Sequence, residues 1–131
     1  MDMEISFPGK SKVRASYEGF VIDTDQAVDS GGEGSAPAPF ELFLASIGTC
    51  AGIYVLRFLQ ERGLSTEEAG ITLHQDVDAD GKTVKKLSLE IKLPPDFPPK
   101  YEKAIVRAAD MCAVKKHIED PPLFETYTTR S

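Results

Sequence analysis

Two cysteines, Cys50 and Cys112, are the residues of this chain with the clearest capacity for covalent chemistry. They are its only cysteines and lie 62 residues apart. A thiolate can attack an oxidant and become a sulfenic acid, which a second thiol then captures as a disulfide. Two buried cysteines can equally be inert packing residues, which is the commoner case for free cysteine. The spacing leaves both interpretations open, because a disulfide requires Cα atoms within about 7 Å of each other.

Cys50 lies in the middle of a long apolar segment, Pro39 to Leu64. This segment predicts a single helix, because Pro39 fits a first helical position and Gly63 can adopt the left-handed conformation that ends a helix. Apolar residues occupy nearly every side of its middle, which is typical of a buried helix. It is too short, and too often interrupted by small polar residues, to favour a membrane span. The sequence therefore predicts a long buried central helix that carries Cys50.

Cys112 falls in a second predicted helix, from about Lys100 to about Ile118. Ile105, Ala108, Ala109 and Cys112 recur at spacings of three and four residues and so share one helical face. If both helices pack on the same face of a sheet, the two thiols can approach each other.

The remaining elements are strands, predicted from alternation of apolar and polar residues. A short strand over Met3–Phe7 precedes a longer one over Lys12–Thr24, in which Gly19 is a candidate bulge. The segment from Gln26 to Ala38 is rich in Ser, Gly, Ala and Pro and reads as a mobile loop. After the central helix, three more strands are predicted: a hairpin through Asp80-Gly81 and a last strand, with bounds Ile71–Val77, Thr83–Leu93 and Leu123–Thr129.

This order of elements predicts an α+β fold, in which an antiparallel sheet packs on two helices within a single domain, residues 1–131. Five short strands give little cover to so apolar a central helix. We therefore expect a second copy of the chain to complete the burial, which makes a homodimer.

The composition restricts the classes of partner and the compartment. A net charge of −6 argues against nucleic acid, because phosphate binding needs a basic surface. No apolar stretch follows Met1, so we expect no signal peptide, no membrane association and a cytoplasmic location. In that compartment a pair of cysteines is more often catalytic or redox-active than structural.

Two patterns in the sequence resemble metal sites, and neither is favoured. One is the first half of a calcium-binding EF-hand loop, but its twelfth position is Leu87 rather than the required Glu; its matching residues are Asp76, Asp78, Asp80 and Gly81. The other is a zinc site from Cys50, Cys112 and His117, whose spacing matches no compact zinc pattern. We expect neither a metal nor a cofactor.

Two motifs resemble the OsmC/Ohr family, nearest its YhfA-like branch. They are PFELFLASIGTCAG from Pro39, where Pro39 is also the last residue of an APAP entry to the helix, and MCAVKKHI from Met111, with the 62-residue gap between the cysteines. The resemblance implies an OsmC-like fold in an intertwined homodimer. It also implies a thiol-dependent peroxidase that reduces organic hydroperoxides, or hydrogen peroxide, in oxidative stress defence. Cys50 would be the peroxidatic cysteine, Cys112 the resolving one, and a dithiol, of lipoyl type in the Ohr proteins, the reductant.

The chain departs from the family pattern around the first cysteine. The peroxidases carry a Glu ten residues before that cysteine, paired with an Arg from an N-terminal Gly-Gly-Arg loop. Here the tenth residue is Phe40, and Glu41, the ninth, lies on the opposite side of the helix at about 100° per residue. Glu41 can instead be an acid favoured in a first turn by the helix dipole. Arg14 is the nearest arginine by region, while Arg57, two turns after Cys50, either lowers the pKa of the thiol or reaches solvent. The candidate catalytic residues are Cys50, Cys112, Glu41 and Arg14.

Two other functions fit the same elements. The first is a non-catalytic OsmC-like dimer that binds a small apolar ligand, with candidate lining residues Tyr17, Phe20, Phe43 and Tyr54. The second is a thioesterase-like or acyl-binding fold. It is the weaker of the two, since no acid or amide lies in the middle of the central helix to polarise a thioester.

Overall fold

The computed structural model describes residues 1–131, which form five strands and three α-helices. In chain order they are β1 Glu4–Gly9, β2 Lys12–Tyr17, β3 Phe20–Thr24, α1 Pro39–Glu61, β4 Gly70–Val77, β5 Val84–Lys92, α2 Glu102–Ala109 and α3 Ala113–Glu119. The fold is α+β with antiparallel sheets, as predicted, but it has two sheets rather than one. The chain forms two compact units, residues 1–45 and 46–131.

The first unit contains the antiparallel sheet β1-β2-β3. The single long strand predicted over Lys12–Thr24 is wrong, because the chain reverses at Glu18-Gly19. Both residues have positive φ, 46° and 85°, which is the conformation of a two-residue hairpin turn. Tyr17 and Phe20 therefore face each other as a cross-strand pair, and Gly19 belongs to a turn rather than to a bulge.

A buried carboxylate organises the loop between β3 and α1. Asp25 is 1% exposed and accepts hydrogen bonds from the Gln26 N–H at 2.7 Å, the Glu33 N–H at 3.3 Å, the Ser35 N–H at 3.1 Å and the Ser35 hydroxyl at 2.6 Å. These bonds, led by the Ser35 hydroxyl, lower the pKa of Asp25 to about 2. The prediction of a mobile loop missed this carboxylate, which fixes residues eight and ten positions along the chain.

The central helix is confirmed close to its predicted limits. α1 begins at Pro39 and ends at Glu61, and Gly63 follows with a φ of 64°. The Leu64 N–H bonds to the Leu59 carbonyl at 2.9 Å, and the Gly63 N–H bonds to the Gln60 carbonyl at 3.1 Å. Together these form a Schellman cap, which a glycine in the left-handed conformation makes possible.

The core of the second unit is built on one face of α1. Four buried residues of α1 pack with three buried residues from later in the chain. They are Ala51, Val55, Phe58 and Leu59 from α1, and Phe97, Ile105 and Ala109. By length and composition α1 could cross a membrane, with a mean hydropathy of 1.8 over 18 residues. A core helix has the same composition, and one face of α1 packs in the core of this unit.

The second unit also contains the antiparallel pair β4 and β5, which confirms the predicted hairpin. The Asp80 carboxylate accepts hydrogen bonds from the Lys82 N–H at 2.8 Å, from the Thr83 N–H at 2.9 Å and from the Thr83 hydroxyl at 2.8 Å. The aspartate that fitted a calcium motif therefore stabilises the hairpin turn.

The predicted second helix is broken into two. α2 ends at Ala109, and Cys112 adopts φ −49° and ψ 122°, which is not helical, before α3 begins at Ala113. The prediction that Cys112 shares a continuous helical face with Ile105 is wrong, although both side chains are buried.

The strand predicted over Leu123–Thr129 is also wrong. The chain has no regular structure after α3, and Leu123 is 101% exposed. Alternation identifies a segment that can pair, whereas a strand also needs a neighbour whose backbone groups it can bond. No such neighbour pairs with this segment within one copy of the chain.

Candidate active site

The structure brings the two cysteines together. Cys50 lies midway along α1, and Cys112 lies at the N-cap of α3, so each side chain is held by a different element of the second unit. Both thiols are free, and each changes the pKa of the other. Cys50 is partly exposed, whereas Cys112 is only 1% exposed. This arrangement meets the first requirement for a thiol pair that can form a disulfide.

Backbone N–H groups at the start of α3 affect both thiols. The N–H groups of Val114 and, to a smaller extent, Ala113 lower the pKa of the Cys50 thiol. The next N–H, of Lys115, donates to the sulfur of Cys112 at 3.4 Å. Three consecutive peptide groups therefore serve the two thiols, because the chain turns into a helix immediately after Cys112.

These contacts separate the two thiols electrostatically. The Val114 N–H is the largest cause that lowers the pKa of Cys50, with the Cys112 thiol and the Ala113 N–H adding to it against the effect of burial. Burial is the largest cause that raises the pKa of Cys112, and its bond to Cys50 raises it further. Cys50 therefore loses its proton first, and Cys112 stays protonated to a higher pH.

The two charged candidates have other partners. Glu41 accepts a hydrogen bond from the Ala38 N–H at 2.9 Å, which caps the first turn of α1 as half of a capping box. Arg14 bonds to the carboxylate of Asp23, directly opposite on β3, at 2.6 and 3.3 Å. The structure does not form the Arg14–Glu41 pair that the family pattern would require, since each group is engaged elsewhere.

No charged side chain contributes to the lowered pKa of Cys50. Arg57, the other arginine considered, is exposed. The causes that lower this pKa are the N–H groups of Val114 and Ala113 and the Cys112 thiol. Sequence reasoning missed the two N–H groups, because they depend on a helix break at Cys112 that no Gly or Pro marks.

The other candidate sites have less support. The structure contains no group of three His, Cys, Asp or Glu side chains placed to hold a metal ion. Tyr17 packs against Phe20 and Phe43 against Phe40, each pair with ring centroids 5.5 Å apart. An apolar cavity of about 250 Å³ occurs in the second unit, lined by other residues, among them Leu89, Ile91, Leu93, Ile105, Val106 and Ala109.

The sequence profile of the OsmC-like protein family matches residues 32–126, well over half of the chain. The chain belongs to the OsmC-like family. This confirms the resemblance seen in the two cysteine motifs. Membership of the YhfA-like branch stays a prediction. No match was found among curated protein sequences.

Solved structures share the fold at low sequence identity. A protein of Psychrobacter arcticus 273-4, described as an osmotic stress induced and detoxification response protein, has a TM-score of 0.72 and 21% identity over 87% of this chain and 85% of its own. An OsmC-like protein of Mycoplasma pneumoniae has a TM-score of 0.69 and 12% identity over 92% of this chain and 87% of its own. The organic hydroperoxide resistance protein OhrB of Bacillus subtilis has a TM-score of 0.56 and 16% identity over 92% of this chain and 93% of its own. At these identities the likeness concerns the fold of the OsmC-like family.

Proposed function

We propose that this protein is a thiol-dependent peroxidase that reduces organic hydroperoxides, or hydrogen peroxide, through Cys50 and Cys112. The observation that carries the proposal is the thiol pair, in which Cys50 ionises first while Cys112 holds a proton beside it. A peroxidatic cysteine must be a thiolate near neutral pH, and a resolving cysteine must lie within reach of the oxidised sulfur.

The reaction balances in three steps. The Cys50 thiolate attacks the terminal peroxide oxygen, the O–O bond breaks, and the alkoxide takes a proton to leave as an alcohol, while Cys50 becomes a sulfenic acid. The Cys112 sulfur then attacks the Cys50 sulfur, forming the disulfide and releasing water. A dithiol, which we propose to be of lipoyl type, finally reduces the disulfide by thiol–disulfide exchange and is itself oxidised.

The names of relatives supply secondary support. Organic hydroperoxide resistance proteins of Bacillus subtilis and Legionella pneumophila share this fold. On that basis we propose a role in oxidative stress defence in the cytoplasm, where a reduced dithiol pool is maintained. We further propose that residues 1–131 act as one functional domain, since the family match extends from the first compact unit into the second.

The active molecule, we propose, is a homodimer. One copy of the chain buries only 28% of the most apolar 18-residue window of α1. Ile53 and Leu56, three residues apart on that helix, are each 37% exposed. A second copy packed on this face would remove apolar surface from water, which is the main driving force for association.

The alternative function, binding of a small apolar ligand without catalysis, has a narrower basis. The apolar cavity of about 250 Å³ in the second unit is its specific support. Pockets for small molecules usually measure about 300–1,000 Å³. The thiol arrangement therefore supports catalysis better than this cavity supports ligand storage.

Steady-state consumption of cumene hydroperoxide, with dihydrolipoamide as the reductant, tests the proposed activity. The wild-type protein is expected to turn over, and Cys50→Ser to lose all turnover. His74→Gln is the matched control, because His74 is a surface residue of the same unit that pairs with Glu90 at 2.9 Å. Turnover retained in Cys50→Ser, or absent from the wild type, would contradict the proposal.

A further inference from the structure

A larger cavity, of about 410 Å³, lies wholly within the first unit and takes no part in the proposed reaction. The residues that line it come from the β1–β2 hairpin, from β3 and from the loop before α1. Small-molecule pockets usually measure about 300–1,000 Å³, so this space is large enough for a small ligand.

The lining of this cavity is basic, although the protein as a whole is acidic. It contains three cationic residues, Lys10, Lys12 and Arg14, and one acidic residue, Asp23, whereas the chain carries a net charge of −6. Lys12 and Arg14 are two positions apart on β2, so their side chains leave the same face of the sheet. This local concentration of positive charge favours an anionic ligand.

The carboxylate of Glu33 marks a position that such an anion would take. One of its oxygens lies 2.8 Å from Lys10 Nζ, and the other lies 3.0 Å from Lys12 Nζ. All three side chains are substantially exposed, and exposed ion pairs of this kind contribute little to stability. An incoming anion can therefore replace Glu33 between the two lysines at a small cost.

Arg14 retains a donor for the same ligand. Its Nε and one terminal nitrogen bond to the Asp23 carboxylate at 2.6 and 3.3 Å. The second terminal nitrogen, Nη1, is left available, and a guanidinium binds carboxylate and phosphate oxygens through such N–H groups.

The loop beside the cavity is held in place without a ligand. Ser35, which lines the cavity, donates both its N–H and its hydroxyl to the buried carboxylate of Asp25. The Ser11 hydroxyl donates to the Gly31 carbonyl at 3.0 Å, which joins the β1–β2 hairpin to the same loop. A wall that is already ordered lowers the entropic cost of binding.

We propose that this cavity binds a small oxyanion, the carboxylate or phosphate group of a small molecule, whose oxygens replace those of Glu33 and also reach Arg14. The site goes beyond the proposed function, since neither thiol belongs to it. A nucleic acid is not the source of the phosphate, because the net charge of −6 opposes a polyanion.

The test titrates the full-length protein with inorganic phosphate and, separately, with succinate, at a constant ionic strength set by chloride. Binding is read from the amide chemical shifts of residues 9–14 and 33–36, which are expected to move with at least one of the two anions. A response to phosphate alone would assign a phosphate group as the ligand, and a response to succinate alone a carboxylate. Shifts no larger than those produced by chloride would overturn the proposal.

Two variants are expected to change the affinity in opposite directions. Lys12→Gln is expected to weaken binding about five- to ten-fold, because one charge-assisted hydrogen bond is lost. Glu33→Gln is expected to strengthen binding about three-fold or more, because the competing carboxylate is removed. Asp29→Asn removes the same charge from an exposed position of the same loop, and Lys85→Gln removes a lysine from β5. Both controls are expected to leave the dissociation constant unchanged.

The two acidic variants separate a defined site from a general effect of charge. If Asp29→Asn strengthened binding as much as Glu33→Gln, the proposal would be overturned, as it would be by an unchanged or weaker affinity in Glu33→Gln. This comparison still decides if Lys12→Gln fails to fold. Neither readout involves Cys50 or Cys112, so the outcome is independent of the peroxidase test.

Discussion

The thiols of Cys50 and Cys112 move each other's pKa in opposite directions. Cys112 lowers the pKa of Cys50, while Cys50 raises that of Cys112. This mutual effect makes Cys50 the thiol that ionises more easily and is suited to attack, and Cys112 the thiol that keeps its proton to a higher pH.

Replacement of Cys112 by alanine is expected to raise the pKa of Cys50. The variant loses a donor to the thiolate, so alkylation near neutral pH is expected to slow by roughly three- to ten-fold, since S–H is a weak donor to a charged acceptor. Cys112→Ser retains a donor and is expected to change less. The pH dependence of the alkylation rate checks both variants, and an unchanged midpoint in Cys112→Ala would contradict this coupling.

The Asp25 carboxylate is expected to make the first unit sensitive to acid. Its pKa is about 2 in the folded chain, below the usual value of about 3.9 for an unfolded chain. Its contribution to the free energy of unfolding is therefore fully present above about pH 4 and is lost as the pH falls through about 2. Asp25→Asn is expected to lower the urea midpoint at neutral pH and to flatten its dependence on pH in this window.

Asp29→Asn is the control for that experiment, because Asp29 is an exposed acid in the same loop. Urea midpoints are measured across acidic and neutral pH for the wild type and both variants. Equal pH dependence in Asp25→Asn and the wild type would show that the hydrogen bonds to this carboxylate do not stabilise the loop.

Gly32 is expected to tolerate no side chain. A Cβ atom at this position would lie 2.0 Å from the carbonyl oxygen of Gln26 and 2.8 Å from Oδ1 of Asp25. Gly32→Ala must displace backbone, so a loss of about 1 kcal/mol or more in the free energy of unfolding is expected. Ser30→Ala, an exposed position in the same loop, serves as the control. Urea unfolding measures the free energy of unfolding of both variants, and equal values would contradict this prediction.

The exposed face of α1 is expected to hold two copies together. Sedimentation equilibrium of the wild type is expected to give twice the chain mass of 14.3 kDa. Ile53→Lys and Leu56→Lys are expected to weaken the dimer, because each places a charge in an apolar contact. Val28→Lys, at a residue 74% exposed in the first unit, is the control. A monomeric wild type would exclude the proposed assembly.

The sequence predicted those elements whose signals are local. Pro39 and Gly63 delimit α1, and the alternation around Asp80-Gly81 identifies the second hairpin, because caps and turns depend on a few adjacent residues. The turn at Glu18-Gly19 was missed, because the apolar pattern continues through it and conceals two residues with positive φ. The strand predicted at Leu123 failed for the opposite reason, since local propensity cannot supply a pairing partner.

The site was predicted only in part. The identity of Cys50 and Cys112 could be inferred from residue type, helix placement and family motifs. The group with the largest effect in lowering the pKa of Cys50 could not, because it is the backbone N–H of Val114, and every non-proline residue carries an N–H. Its role depends on the break in the chain at Cys112, which no Pro or Gly announces in the sequence.

A single-turnover reaction with peroxide tests the central claim most directly. The reduced protein is mixed with one equivalent of cumene hydroperoxide, quenched within seconds, and analysed by intact mass and peptide mapping. We expect a Cys50–Cys112 disulfide in the wild type, and none in Cys50→Ser. Thiols that remain reduced after many minutes in the wild type would contradict the assignment of this protein as a peroxidase.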